Sequence, residues 1–170
     1  GEAYFFRAYS YFDLLQLYGD VIITKKPLDI TDPEMKVKRN DRSEVVDLII
    51  DDLNHAVENL PAFKELTTEE EGRISKEGAQ AFLSRVALYE GTWQKSRNGN
   101  QNTQRSANLL DIAAKAARTV IDAKYGYTFR LFGTDSETKI LGDSAQKYMF
   151  ILENEKSNPA GIKKSSNHEY

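Results

Sequence analysis

The chain has 170 residues, 40% hydrophobic and 29% charged, enough for one domain with its own core and too apolar for a disordered segment. A formal net charge of −3 argues against a nucleic-acid partner, and the absence of cysteine excludes disulfides and thiolate metal sites within this stretch. No apolar run approaches the roughly 20 residues needed to span a bilayer. No signal peptide is visible, but the chain starts inside a helical pattern without a cap and ends at Asn-His-Glu-Tyr without closure. The expectation is an internal piece of a longer protein, so the missing signal peptide says nothing about compartment.

The first stretch, GEAYFFRAYSYFDLLQLYGD, reads as a helix from Glu2 to about Tyr18. Its polar residues Arg7, Ser10, Asp13 and Gln16 recur every third position and form one narrow strip; apolar residues cover the rest. Such a helix is expected to be buried between other elements, with Gly19 just past its end. A side around Tyr4, Tyr11 and Tyr18 left open would mark where further chain packs. Asp20 to Arg42 is a long connection with Pro27 and Pro33, in which Val21-Ile22-Ile23 is a short extended piece. Asp41 and Glu44 have the spacing of a capping box. Val46, Ile49, Ile50, Leu53, Ala56, Val57 and Leu60 then give one apolar helical face, ended by Pro61.

Residues 62–73 are polar and include Glu69-Glu70-Glu71. Ser75 is placed to cap a third helix running to about Trp93, with the face Ala79, Phe82, Leu83, Val86, Tyr89 and Trp93. Gly78, Ala81, Ser84, Ala87 and Gly91 are small and let neighbouring helices come close. KSRNGNQNTQR (residues 95–105) reads as an exposed loop, followed by a fourth helix over 106–124 with Leu109, Ala113, Ala116, Ala117, Val120 and Ile121 on its apolar face. Residues 127–170 are mostly irregular apart from a short helix over 145–152, and Tyr125, Tyr127 and Phe129 alternate as a short strand would. Ala3-x-x-x-Arg7-x-x-x-Tyr11 is echoed by Ala81-x-x-x-Arg85-x-x-x-Tyr89. Each copy starts a helix pair, about 2–18 with 43–60 and about 75–93 with 106–124. The fold class expected is mainly α, with tetratricopeptide-like helix pairs and long irregular loops.

Little of this points to reaction chemistry. Asp51 and Asp52 are adjacent on a helix and diverge by about 100°, so they do not form the facing carboxylate pair of a glycosidase; both are read as lying on the solvated face or capping a neighbour. Glu69-Glu70-Glu71 reads as loop charge. His55 and His168 are far apart and lack metal-ligand partners, Ser10 and Ser84 lack a nucleophile's context, and Asn98-Gly99-Asn100 lacks a phosphate-loop pattern. No metal, cofactor or catalytic residue is assigned. Trp93 is the one candidate for ligand contact, as a flat platform for a sugar ring, although its helical register with Tyr89 and Val86 suffices to explain it as groove filler. Arg7 and Arg85, at matched positions on apolar helices, are read as buried guanidiniums tying the stack together through Asp13, Asp52 or Glu90.

GEAYFFRAYSYFDLLQLYGDV (1–21), Arg42 leading into EVVDLIIDDLNHAVENLP (44–61), GRISKEGAQAFLSRVALYEGTW (72–93) and TVIDAKYGY (119–127) resemble, in that order, the blocks of the SusD/RagB family. Ile22-Ile23 departs from the proline usual after Gly-Asp-Val. The resemblance implies a SusD-like domain of which residues 1–170 are part. It also implies a nutrient-binding lipoprotein of Bacteroidetes, lipid-anchored outside this stretch and facing the cell exterior on the outer membrane. Such a protein would hand an oligosaccharide or other nutrient to a SusC-like TonB-dependent transporter and would not be an enzyme. Ligand contacts in the family tend to lie outside the matching segment, so no binding residue is carried over. A helical-repeat scaffold that binds only protein is the alternative, and a helical glycosidase a third reading.

Overall fold

The structure, a computed structural model, describes residues 1–70, 72–97, 103–134, 136, 138–151 and 156–163, without the side chains of Glu34 and Met35. Among them the chain forms helices α1 (Glu2–Tyr18), α2 (Arg42–Asn59), α3 (Lys76–Arg97) and α4 (Thr103–Ile121), and the single turn α5 (Ala145–Tyr148). The β pairing among the described residues is one isolated antiparallel bridge, Val21 to Asn40. The chain divides into two compact units, 1–120 and 121–170.

The first unit is two helix pairs. Arg7 bonds Asp52 near one end of the first pair, and Arg42 reaches the Leu15 carbonyl near the other, so α2 runs back along α1. Lys76 N–H bonds the Pro61 carbonyl while Arg42 pairs with Glu90, so α3 runs back along α2. Ser84 donates to the Ala113 carbonyl at 2.8 Å and Ser106 to the Gly91 carbonyl at 2.7 Å, which places α4 antiparallel to α3. The leading helices of the two pairs lie side by side and parallel: Phe5 and Phe12 both meet Phe82, and Phe12 meets Tyr89 edge-on. This is the tetratricopeptide-like arrangement that the periodicity predicts.

α2 lies at the centre of the core. Val45, Val46, Ile49, Leu53 and Ala56 lose all solvent contact, packed with Phe12 and Leu15 of α1 and Leu83 and Val86 of α3. Each fully buried Val, Leu or Ile contributes about 1.5–3 kcal/mol relative to exposure, so this face holds the unit together. Gly91 is the close approach that the small residues of α3 predict, because a Cβ there would lie 2.9 Å from Leu110 Cγ. Ser75 caps α3 through the Gly78 N–H, as expected.

Several expectations are corrected. α1 is not buried on every side: its face at Phe5, Ala8, Tyr11, Phe12 and Leu15 is covered, while Phe6, Tyr9, Leu17 and Tyr18 are exposed. The open side therefore does not run through Tyr11, whose hydroxyl accepts the Thr24 N–H at 2.7 Å. The Asp41 side chain makes no cap bond. Asp20 instead accepts the Arg42 N–H at 2.9 Å from across the connection, while Glu44 binds the Asn40 amide. Residues 95–97 and 103–105 are helical, not loop, because Lys, Arg and Gln extend helices well once packing has started them. No strand forms at 125–129, where Tyr127 and Phe129 instead meet edge-on at 4.8 Å.

The second unit has its own small core of Phe132, Leu141, Ala145 and Ile162. Two buried polar side chains take up loop backbone there. Thr138 Oγ1 accepts the Gly133 N–H, and Asn158 both accepts from the Ile162 N–H and donates to its carbonyl.

Candidate functional site

Polar and aromatic groups converge where α1 ends, α2 begins and the last turns of α3 pass by. Arg42, in the first turn of α2, sends its guanidinium to both oxygens of the fully buried Glu90, at 2.9 and 3.2 Å, and to the Leu15 carbonyl. Gln94 donates to the same carboxylate at 2.6 Å. Arginine in a first helical turn opposes the helix dipole, and that is the sequence signal that its side chain is committed elsewhere.

Trp93 borders this cluster, half-buried and stacked on Tyr89 with 6.3 Å between ring centroids. The guanidinium carbons of Arg42 and Arg97 sit over its ring at 4.2 and 4.7 Å. A sugar ring needs an indole face of its own, and two cations already occupy this ring. Trp93 therefore sits at the end of α3 with Tyr89 and two guanidiniums against its ring.

Of the two matched arginines, only Arg7 is paired. It binds Asp52 in a two-pronged contact of 2.6 and 2.7 Å, and Asp52 is almost fully buried. Hydrogen bonding to Asp52 raises the already high pKa of Arg7 further. Arg85 lies exposed on α3, with no ion-pair partner among the described residues, so its expected role as a buried tie is corrected. Arg42 and Arg105 do that work instead. Arg42 takes Glu90 across α2 and α3, and Arg105 binds Asp47 and the Ser43 carbonyl across α2 and α4. Asp52, one of the partners expected for Arg7, is buried rather than on the solvated face, whereas Asp51 is exposed.

An open groove of about 690 Å³ lies between the 23–26 segment and α2, lined by Ile23, Lys25, Lys26, Asn40, Glu44, Asp47, Leu48 and Asp51. Most of its polar groups are already engaged. Asn40 holds the Ile23 N–H and Glu44, Lys26 pairs with Asp32, and Asp47 pairs with Arg105. The groove contains no aromatic ring, and its carboxylates lie along one helix row rather than facing each other across a cleft.

The remaining chemical candidates are structural in placement. His55 is exposed beside Tyr4 and Glu58, Ser10 bonds its own helix at the Phe6 carbonyl, and Ser84 bonds α4. Arg73 bridges Glu2 and Glu70. Its guanidinium holds the Glu2 carboxyl below the ordinary carboxylate value, and the Thr67 N–H does the same for Glu70, followed by the Thr67 hydroxyl and Arg73. Among the described residues no cluster of three His, Cys, Asp or Glu side chains could hold a metal. Glu71, Asn98 to Asn100, Leu152 and His168 lie outside the described residues.

Comparison with known proteins agrees with this reading of the fold. Residues 1–88 match the profile of a SusD-like family described as starch-binding and associating with the outer membrane. A SusD-like protein of Formosa agariphila is 36% identical over 90 residues, covering 52% of this chain and 17% of its own length. One from Bacteroides ovatus is 29% identical over 121 residues, 71% of this chain and 20% of its own. The crystal structure of a SusD-like protein from Bacteroides fragilis superposes with a TM-score of 0.62 at 29% identity, over 89% of this chain and 23% of that one. A SusD-like carbohydrate-binding protein from the same species, at 21% identity and a TM-score of 0.59 over 77% of this chain and 22% of that one, shares the fold. The chain thus spans about a fifth of the length of the relatives it matches.

Proposed function

We propose, because this chain belongs to the SusD-like family of starch-binding proteins that associate with the outer membrane, that it is the helical scaffold of a cell-surface glycan-capture protein. In this reading the whole protein is held to the outer membrane by a lipid outside these residues and faces the cell exterior. It binds an oligosaccharide and passes it to a SusC-type TonB-dependent transporter. The family match over 1–88 carries the reading, and the superposition on a SusD-like crystal structure supports it. The mechanism is capture without bond breaking, consistent with carboxylates that are paired, buried or dispersed along a helix.

The scaffold's part in that mechanism is rigidity. The Arg7–Asp52, Arg42–Glu90 and Arg105–Asp47 pairs each join two different helices, and capture favours a site that does not have to be ordered at the moment of binding. Glycan contacts are assigned to the rest of the polypeptide, since Trp93 is occupied and the groove at Lys25 and Asp51 lacks an aromatic platform.

The test is a glycan panel applied to the full-length protein, with and without its transporter. Saturable binding to a particular oligosaccharide in the absence of the barrel is the expected result. Stable binding to the barrel with no affinity for any glycan would replace this reading with a protein-binding scaffold. Turnover of the oligosaccharide would replace it with an enzyme.

A further inference from the structure

The groove between the 23–26 segment and α2 holds charges that the fold itself does not use. Lys26 and Asp47 are spent on Asp32 and Arg105. Lys25 on one wall and Asp51 on the other are exposed, and neither has an ion-pair partner among the described residues. Glu44, on the same side of the groove as Asp51, accepts from the Asn40 amide and meets no cation among those residues. Ile23 and Leu48, half-buried against the core, add aliphatic surface to the same groove. The backbone of the segment is also open. Val21 pairs with Asn40, and the Ile23 N–H donates to the Asn40 side chain at 2.9 Å. There the ladder stops: the Ile23 carbonyl and the Lys25 N–H have no hydrogen-bond partner among the described residues. An edge left open in this way is a template for another chain.

Charge and size separate the occupants. Glu44 and Asp51 stand two helical turns apart on one face of α2, about 10 Å. An extended chain covers that distance in three to four residues at about 3.3 Å each. The volume of about 690 Å³ lies within the roughly 300–1,000 Å³ of ligand sites. An anionic polymer is repelled by the two carboxylates and a purely cationic one by Lys25, while a sugar finds no aromatic ring. A peptide offers an acid, a base, an aliphatic side chain and main-chain hydrogen-bonding groups within this length. The groove is open rather than enclosed, so it admits a segment running through from a longer chain.

We propose that this groove docks an extended segment of a partner protein that carries an acidic, a basic and an aliphatic residue within three or four positions. The acidic side chain meets Lys25, the basic one meets Glu44 and Asp51, and the aliphatic one packs on Ile23 and Leu48. The segment's main chain continues the ladder begun at Val21 and Asn40. This contact is separate from glycan capture and does not rest on it, so a protein without affinity for any glycan would leave it standing.

The test is an array of synthetic hexapeptides, acetylated and amidated at their ends to mimic mid-chain segments, probed with the full-length protein. Peptides that combine Lys or Arg with Asp or Glu around Val, Ile or Leu are expected to be selected over peptides of a single charge sign. Lys25 and Asp51 are exposed, so the double reversal Lys25→Glu with Asp51→Lys leaves the fold intact, which circular dichroism checks. That variant should bind the selected peptides many-fold more weakly and keep the glycan affinity of the parent. Selection of no peptide would overturn the proposal, as would selected peptides that bind the double variant unchanged. Binding confined to peptides with free ends would overturn it in favour of a site for free peptides. Loss of oligosaccharide binding, or of self-association, in the double variant would instead assign the groove to a glycan or to a second copy of this protein.

Discussion

Arg7 and Asp52 show how much a single pair carries. Asp52 is buried to within 2% and both prongs of its carboxylate face the guanidinium, so removing Arg7 leaves a desolvated charge with no counterion. Arg7→Ala is expected to cost about 3 kcal/mol, the low end of the range for broken buried pairs because a third of the Arg7 side chain stays in water. Urea unfolding of the full-length protein measures it, with glycan affinity of the folded fraction unchanged. The exposed pair of Asp111 and Lys115 is the control, since Lys115→Ala should shift stability by no more than about 0.5 kcal/mol. Similar small shifts for both would show that Arg7 does not tie α1 to α2. The sequence does hold the sign that Asp52, not Asp51, is inside. Ile49, Leu53 and Ala56 set the buried phase of α2, and position 52 falls at its edge while 51 does not. The Ala-x-x-x-Arg-x-x-x-Tyr echo misleads for Arg85 because the match is in sequence position, whereas pairing depends on whether a neighbouring helix covers that side.

At the level of the elements, α3 tests how closely its neighbours approach. Gly78 and Gly91 both sit in its helical turns, where alanine is intrinsically favoured over glycine by about 1 kcal/mol. At Gly78 the added carbon would meet only the mobile end of Ile74, at 2.7 Å; at Gly91 it would meet the branch point of Leu110 and the Cβ of Leu109, which are held by α4. Gly78→Ala is expected to be neutral or stabilising by up to about 1 kcal/mol. Gly91→Ala is expected to destabilise by about 1 kcal/mol, overpacking outweighing propensity. Thermal melts that rank the two the other way round would show that α4 yields at Gly91. The small-residue face of α3 was legible as a close contact. The ends of α3 and α4 were not, since polar composition alone does not separate a loop from a solvated helix end. The exposure of one side of α1 was also hidden, because a nearly uniform apolar pattern gives no phase to read.

For the whole molecule, the helix pairs follow from 3.6-residue periodicity, and their order from short antiparallel returns, so the scaffold was legible in the residues alone. A ligand site was not, because the residues that carry the family likeness are accounted for by packing and pairing with one another. The core of the helical unit draws on residues 5 to 116, and that of the second unit on residues 132 to 162. A polypeptide ending after Ile121 is therefore expected to keep the helical circular-dichroism signal and cooperative melt of the first unit. Loss of cooperativity on that truncation would show that its core is not self-sufficient.

The joint between the first two helices has a consequence for how such chains diversify. The Asp20 carboxylate on the Arg42 N–H and the Val21 to Asn40 bridge close the connection at its base, so the residues between form a loop returning to its starting point. Doubling the length of a closed loop costs only about 0.6 kcal/mol of chain entropy. Residues beyond Thr24, where the Tyr11 hydroxyl makes its last hold on the connection, can thus lengthen, shorten or change sequence without moving either helix. Insertions that separate one lineage of this scaffold from another would accumulate there at little expense to the fold.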